Sequence, residues 1–345
     1  MGTVHPKYKV AAVQAAPAWN DLEGSIQKCI HYIEEAARAG CELVAFPETF
    51  IPGYPWHIWV ESPAGTMVRG YVQRYFDNSL DYKSPEAERI RQAVKKAGIT
   101  AVLGLSERSG GSLYIAQWII GPDGETISTR RKVRPTHAER TVYGEGDGSD
   151  LKVHDTPLGR LGALSCWENL LSLNKFAMYA QHEQVHVAAW PSYSIYQPFA
   201  YALGPECANA ISQVYAIEGG CFVIAPCAVI SPEMIEELCD TPEKRELLKA
   251  GGGHTVIYGP DGRLLAEKLP EDGEGLVIAE LDLGLIGIAK NAMDPVGHYS
   301  RPDVYRLLHN KTPSSRVEHL RMPLDQQQFD KIESIASAEV EKNEQ

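Results

Sequence analysis

The sequence predicts an α/β fold, because segments with strand and helix patterns alternate over roughly 280 residues. Residues 8–13 have the pattern of a strand. Between a cap at Asn20 or Asp21 and Gly40, apolar side chains recur at helical spacing. A short apolar strand at residues 43–46 follows, so the chain begins with the strand, helix, strand order of an α/β unit.

The next elements continue this alternation. Ser84 can cap a helix, Pro85 suits its first position and Gly98 its end. Residues 101–105 then form a predicted strand. Three more apolar strands are predicted at residues 161–165, 185–190 and 221–225, with helical stretches between them.

Two segments carry the same turn sequence. Residues 119–124 and 257–262 each end in Gly-Pro-Asp-Gly, and each precedes a polar strand, to Lys132 and Lys268 respectively. Both segments predict β-hairpins. Their recurrence in the two halves of the chain suggests two similar sheets within one domain.

The alternation stops near Tyr299, so we expect one domain over residues 1–300 and a C-terminal tail over residues 301–345. Apolar side chains recur at helical spacing between Phe329 and Val340. This pattern leaves two alternatives open, a free terminus and a helix that docks on a partner subunit.

Composition excludes several classes of protein. The 345 residues carry 45 acidic and 33 basic side chains, for a net charge of −12, whereas a nucleic-acid-binding face would be basic. No apolar run approaches the roughly 18 residues of a membrane span. Residues 1–9 lack the apolar core of a signal peptide, and seven cysteines without a C-x-x-C pair fit a reducing compartment. We therefore expect a cytoplasmic location without nucleic-acid or membrane partners.

A zinc signature occurs at residues 182–186. His182, Glu183 and His186 match H-E-x-x-H, which binds zinc when both histidines lie on one face of a helix. The residues that follow have the pattern of a strand. We therefore interpret the two histidines as structural and expect no metal site.

Cys166 is the candidate nucleophile. It follows the strand at residues 161–165, and residues 168–181 have the pattern of a helix. At such a turn, free backbone N–H groups and the helix dipole favour the thiolate. The alternative is an inert cysteine in the core.

Two charged residues are candidates to assist the thiol. Glu48 comes after the strand at residues 43–46, and Lys132 ends the first predicted hairpin. The carboxyl ends of strands are where α/β sites usually form. Taken singly, each charge has the alternative of facing solvent.

Three motifs in order make the chain resemble a known family. Residues 46–56 read FPETFIPGYPW, residues 131–141 read RKVRPTHAERT, and residues 165–169 read SCWEN. These stretches resemble the true-nitrilase branch of the carbon–nitrogen hydrolases. Residues 15–17, 72–78 and 208–218 are most similar to arylacetonitrilases.

The resemblance implies a catalytic role for each motif. Cys166 would be the nucleophile, Glu48 the general base and later the acid, and Lys132 the group that stabilises negative charge. Glu139 would position the others, and the backbone N–H of Trp167 would complete the oxyanion site.

The resemblance also implies the reaction. A nitrile would be hydrolysed to a carboxylic acid and ammonia through a cysteine thioimidate and thioester, without a cofactor and with some amide by-product. Asn169 stands where many relatives have His, which puts the product balance and the substrate preference in doubt. The alternatives are an aliphatic amidase, a carbamoylase or a cyanide-degrading enzyme of the same superfamily, and a non-enzymatic binding protein.

Aromatic residues near the motifs suggest a pocket for an apolar nitrile side chain. The resemblance to arylacetonitrilases implies arylaliphatic nitriles such as phenylacetonitrile or mandelonitrile as the substrates. The pocket candidates, each with core packing as its alternative, are Tyr54, Tyr143, Trp190, Pro191 and Tyr193.

The fold implied by the resemblance is a four-layer α-β-β-α sandwich. Such subunits pair through helices into an α-β-β-α-α-β-β-α homodimer, which often extends into a spiral filament. The segment between Phe329 and Val340 is a candidate to take part in this assembly, with a free terminus as the alternative.

Overall fold

The computed structural model describes residues 4–317 of the chain. The residues up to Thr312 form one compact unit of two sheets and flanking helices. The apolar segment predicted between Phe329 and Val340 lies outside the described residues. Within residues 4–317, no helix combines the length and the apolar character needed to cross a bilayer.

The strands of the described part are β1 Lys7–Ala15, β2 Cys41–Ala45, β3 Thr100–Ser109, β4 Ser112–Ile120, β5 Thr126–Arg131, β6 His154–Thr156, β7 Gly159–Ser165, β8 Val185–Ala189, β9 Phe222–Ala225, β10 Cys227–Ala228, β11 Val256–Tyr258 and β12 Gly275–Asp282.

The helices are α1 Leu22–Arg38, α2 His57–Val60, α3 Pro63–Val68, α4 Tyr71–Asn78, α5 Pro85–Ala97, α6 Ser172–Tyr179, α7 Pro205–Gly219, α8 Pro232–Leu238, α9 Pro242–Leu247 and α10 Gly284–Ala292. Two short 3₁₀ turns, His137–Thr141 and Cys166–Leu170, belong to the candidate site.

The strands form two mixed sheets. One has the order β10-β1-β2-β3-β4-β5, with β12 antiparallel to β1; the other has the order β11-β9-β8-β7-β6. The first Pro-Asp-Gly turn joins β4 to β5 in the first sheet, and the second follows β11 in the other sheet. The two turns therefore lie in different sheets of one unit, as their recurrence suggested.

Three apolar cores define four layers. Alternate residues of β1, such as Val10 and Ala12, pack with β7, β8 and β9 between the two sheets. Their neighbours Ala11 and Val13 face the other way and pack with α1 and α5. On the far side of the second sheet, residues of β8 and β9 pack with α6 and α7. The layer order is α-β-β-α, which confirms the predicted fold class.

Local signals in the sequence place the helix ends correctly. The Asp21 side chain accepts a hydrogen bond from the Gly24 N–H at the start of α1, and Ser84 caps α5 in the same way. Gly98 ends α5 in the left-handed conformation.

Two predicted elements are wrong in detail. The helix predicted over residues 168–181 is a 3₁₀ turn followed by α6. Two side-chain hydrogen bonds stabilise the turn: Glu168 accepts from the Ser165 N–H, and Asn169 donates to the Cys166 carbonyl oxygen. The second hairpin has a single bridge, Tyr258 to Leu264, and residues 263–268 form no strand. That segment is mostly exposed. The two of its residues that pack against the core between the sheets, Leu265 and Ala266, are consecutive and so do not form the alternating face of a strand.

Candidate active site

The three predicted catalytic residues follow directly from strand ends. Glu48 comes after β2, Lys132 after β5 and Cys166 after β7. The first two belong to one sheet and the third to the other. The site therefore lies where the ends of the two packed sheets meet.

A close backbone contact joins these ends. The Glu48 N–H donates to the carbonyl oxygen of Trp190, just beyond β8, at 3.2 Å. On the other side, the loop at Pro47 lies so close to β3 that a Cβ on Gly104 would come within 1.9 Å of the Pro47 carbonyl oxygen. Only glycine fits at position 104. Because Gly104 has no side chain, the Pro47 loop can pack close to β3 and bring Glu48 into the site.

Lys132 binds both glutamates. Its Nζ donates to Glu48 Oε1 at 2.8 Å and to Glu139 Oε2 at 2.9 Å, and all three side chains are buried. Burial disfavours the charged ammonium, but the Glu139 and Glu48 carboxylates outweigh it and raise the pKa of Lys132 well above its ordinary value. Lys132 is a permanent buried cation.

Glu139 is held from three sides. Besides Lys132, its Oε2 accepts from the Thr136 N–H at 2.6 Å, which closes a capping box on the 3₁₀ turn His137–Thr141. Its Oε1 accepts from the Tyr54 hydroxyl at 2.9 Å. This geometry fits a positioning residue.

Glu48 differs from Glu139 in having one free oxygen. Its Oε2 is buried and has no hydrogen-bond partner. Burial raises the pKa of Glu48 to about 7, with Lys132 opposing the shift and Glu139 adding to it. A carboxyl group that titrates near neutrality suits proton transfer in both directions.

The Cys166 thiol lines a cavity and is protonated at rest. Burial first, and then the charge of Glu48, raise the pKa of the thiol well above its ordinary value; Lys132 and the Trp167 backbone N–H act in the opposite direction. The prediction that a helix dipole favours the thiolate is wrong, because a 3₁₀ turn follows Cys166 and α6 begins only at Ser172. The thiol needs a base to become a nucleophile.

The backbone at the site is strained. Cys166, Thr49 and His137 have φ values of +50°, +46° and +42°, in the left-handed region that residues with side chains rarely adopt. Such outliers persist only where surrounding contacts hold them, and they cluster at functional sites.

The cavity beside Cys166 is largely aromatic and apolar. Four of the five predicted pocket residues, namely Tyr54, Trp190, Pro191 and Tyr193, line it. Tyr143 is not among the lining residues; it is buried in a separate cluster, where its hydroxyl is paired with that of Tyr75 at 2.5 Å. The sequence interpretation missed further lining residues, which include Trp56, Trp59, Thr136, Ser192, Ile195, Leu203 and Ile211.

Glu168 is a site residue whose role the sequence did not suggest. Both of its oxygens bind Arg130 at 2.9 Å, and they also accept from the N–H groups of Val133 and Ser165. Val133 follows Lys132, and Ser165 precedes Cys166. Glu168 thereby fixes the two catalytic segments relative to each other.

The histidines of the zinc signature do not form a metal site. His182 lies in a turn, His186 lies in β8, and both ring nitrogens of His186 are within hydrogen-bond distance of Glu183 and Asn169. Across residues 4–317, no cluster of three or more His, Cys, Asp or Glu residues has metal-binding geometry.

Comparison with known proteins agrees with this geometry. The sequence profile of the carbon-nitrogen hydrolase family matches residues 9–291. A nitrilase of Pseudomonas syringae is 54% identical over 96% of this chain and 98% of its own length. An aliphatic nitrilase of Rhodococcus rhodochrous is 52% identical over 90% of this chain and 84% of its own. An arylacetone-specific nitrilase of Alcaligenes faecalis is 48% identical over 90% and 87%, respectively.

Solved structures share the fold at low sequence identity. The carbon-nitrogen hydrolase of Helicobacter pylori G27 is 17% identical, with a TM-score of 0.67, over 87% of this chain and 97% of its own. Saccharomyces cerevisiae Nit3 is 19% identical, with a TM-score of 0.65, over 86% and 98%. The matching profile, the relatives and the fold together show that this chain belongs to the carbon-nitrogen hydrolase family.

Proposed function

We propose that the protein is a nitrilase that converts organic nitriles to carboxylic acids and ammonia. The observation that carries the proposal is the free Oε2 of Glu48, on a carboxyl group whose other oxygen is held by Lys132. The charge of Glu48 acts on the buried thiol of Cys166, which lines an apolar cavity. Relatives named as nitrilases support the same reaction.

The first half of the reaction uses Glu48 as a proton carrier. Its carboxylate accepts the proton of the Cys166 thiol while the sulfur attacks the nitrile carbon. The nitrile nitrogen then takes that proton, so a C–S bond replaces one C–N π bond and a thioimidate forms. Covalent attachment replaces a difficult addition of water with two easier steps.

The second half uses two water molecules. Glu48 removes a proton from the first water as it adds to the thioimidate carbon, and returns a proton to the nitrogen. Ammonia leaves and a thioester remains, which the second water hydrolyses to the acid and the free thiol. If the tetrahedral intermediate expels the sulfur first, the amide is released instead.

Negative charge builds up on the substrate in these steps. We assign its stabilisation to the Lys132 ammonium and the Trp167 N–H, both of which lower the pKa of the neighbouring Cys166 thiol. Each such donor contributes about 3–4 kcal/mol in acyl transfer. Glu139 neutralises part of the Lys132 charge and keeps Nζ directed into the site.

We further propose a preference for arylacetonitriles. The relatives named as aliphatic and as arylacetone-specific have similar identities to this chain, so sequence identity does not discriminate between them. The wall of the cavity favours an aromatic substituent, because Trp56, Trp59, Trp167 and Trp190 all line it.

Ammonia release tests the function and its alternatives in parallel. Phenylacetonitrile, an aliphatic nitrile, phenylacetamide and cyanide are supplied separately, with Cys166→Ala as the blank. The proposal predicts phenylacetic acid and ammonia from the first substrate at the highest kcat/KM. Release from the amide or from cyanide alone contradicts the proposal in favour of an amidase or a cyanide-degrading enzyme.

Self-association and a cytoplasmic location remain proposals. Apolar side chains are exposed on the outer helices, including Leu173 on α6, Val214 on α7 and Ile288 on α10, and they offer a face for a second subunit. Truncation after residue 310, followed by electron microscopy, tests the tail. Unchanged filaments would contradict its role in the assembly.

A further inference from the structure

A buried chain of side chains lies behind the nucleophile and outside the substrate cavity. Asn169 Nδ2 donates to the carbonyl oxygen of Cys166 at 2.8 Å. Asn169 Oδ1 is 2.8 Å from His186 Nε2, and His186 Nδ1 is 2.7 Å from Glu183 Oε1. The Tyr215 hydroxyl ends the chain, donating to Glu183 Oε2 at 2.7 Å.

The directions of the first two hydrogen bonds in this chain follow from the carbonyl acceptor at its start. A carbonyl oxygen only accepts, so the amide nitrogen of Asn169 must face Cys166 and the amide oxygen must face His186. His186 therefore carries a proton on Nε2. Its Nδ1 faces Glu183 Oε1, and the other oxygen of Glu183 accepts from the Tyr215 hydroxyl.

The surroundings are built to hold this arrangement. Asn169, His186 and Tyr215 have no exposed surface, and only 1% of Glu183 is exposed. The Tyr215 ring stacks on His186 at 3.8 Å between centroids. A Cβ on Gly162 would lie 1.9 Å from Glu183 Oε1, so the glycine of β7 leaves the space that this carboxyl group occupies.

The Asn169 end of this series of hydrogen bonds holds one peptide group in place. The Cys166 carbonyl and the Trp167 N–H belong to the same planar unit, so holding the oxygen fixes the opposite N–H. That N–H lowers the pKa of the Cys166 thiol through a backbone hydrogen bond. Cys166 has a φ of +50°, a conformation that needs such support.

We propose that Asn169 and His186 are positioning residues that hold the Cys166–Trp167 peptide with its N–H directed at the reacting sulfur and at the negative charge formed beside it. The inference depends on the proposed function only for the identity of that charge. Its effect on the thiol is independent of the substrate.

Alkylation of Cys166 by iodoacetamide is the substrate-independent test. The rate is measured by mass spectrometry of the Cys166 peptide at fixed pH, with Cys166→Ala as the blank. Asn169→Leu frees the Cys166–Trp167 peptide to turn, so the thiolate loses its hydrogen bond from the Trp167 N–H. This loss should lower the alkylation rate by about tenfold to a hundredfold. With a nitrile, kcat should fall by a similar factor while KM stays within about twofold.

His186 provides the conservative comparison. The side-chain amide of Gln places an N–H near the position of Nε2, so His186→Gln should retain most of the alkylation rate, whereas His186→Leu should be as slow as Asn169→Leu. Tyr179→Phe is the matched control. It removes a hydroxyl that donates to the Tyr215 carbonyl oxygen in the same core and leaves the hydrogen bonds of the Cys166–Trp167 peptide unchanged. Asn169→Asp, of nearly the same shape, replaces Asn169→Leu if the latter does not fold.

Two results would overturn the inference: Asn169→Leu or Asn169→Asp alkylated as fast as Tyr179→Phe, or the two His186 variants equally slow. If the predicted order of rates holds but no nitrile is hydrolysed, the positioning role stands and the proposed function fails.

Discussion

Replacing Glu48 with Gln should inactivate the protein and also make it more stable at alkaline pH. The amide keeps the shape of the carboxyl group but carries no charge into the buried site. In the folded protein the pKa of Glu48 is raised from 4.5 to about 7, chiefly by burial. Ionisation of Glu48 therefore lowers the free energy of unfolding. This loss develops as the pH rises from 4.5, the ordinary pKa, to about 7, the pKa in the folded protein.

The pKa difference sets the size of the effect. At pH values above 7 the charge on Glu48 costs about 3 kcal/mol of unfolding free energy. The stability advantage of Glu48→Gln should therefore grow by about 2 kcal/mol between about pH 5.5 and about pH 8.5. Because protonated Glu48 and Gln are both neutral, the two proteins should converge at lower pH.

Urea unfolding followed by tryptophan fluorescence measures this difference at each pH and at one protein concentration. Glu267→Gln removes an exposed negative charge and controls for the change in net charge. A Glu48→Gln variant that is less stable than the parent at pH 8.5, or an advantage that does not change with pH, would refute the reasoning.

Three further predictions concern turnover. Cys166→Ala should abolish both acid and amide formation without loss of the folding transition, and residual turnover in product analysis would contradict its role as the nucleophile. The pH profile of kcat/KM should fall on the acid side through about pH 7, where Glu48 takes up a proton and can no longer accept one from the thiol; a profile flat through that range speaks against Glu48 as the base. Tyr54→Phe frees Glu139 Oε1 and should lower kcat about tenfold, whereas Tyr143→Phe, outside the cavity lining, should leave KM within about twofold. A rise in KM for Tyr143→Phe, together with an unchanged kcat for Tyr54→Phe, would place Tyr143 in the pocket instead.

The candidate catalytic residues could be proposed from the sequence because the residues around them carry the signal. Glu48, Lys132 and Cys166 each follow a strand, and the structure brings the Glu48, Lys132 and Glu139 side chains into direct contact. The electrostatic state of the thiol could not be predicted. It depends on burial by residues distant in sequence and on the 3₁₀ turn, whose backbone is held by side-chain hydrogen bonds of Glu168 and Asn169.

The pocket was predictable only where its residues adjoin a motif. Trp190 and Pro191 follow β8 and were identified, whereas Ile211 on α7 enters through packing that no local pattern encodes. Tyr143 shows the opposite error, since it lies close to Glu139 in sequence yet packs into another cluster. The second histidine of the H-E-x-x-H signature lies in a strand, as the apolar residues after it predicted, and there the helical spacing of the motif has no meaning.

Mass spectrometry of the protein during turnover tests the central claim most directly. Acid quenching of the reaction with phenylacetonitrile should trap a Cys166 peptide heavier by the mass of the nitrile, or by that of the corresponding acyl group less the thiol hydrogen that it replaces, and Cys166→Ala should show neither. Steady release of ammonia with Cys166 unmodified at every quench time, or with the adduct on another residue, would contradict covalent catalysis at this sulfur.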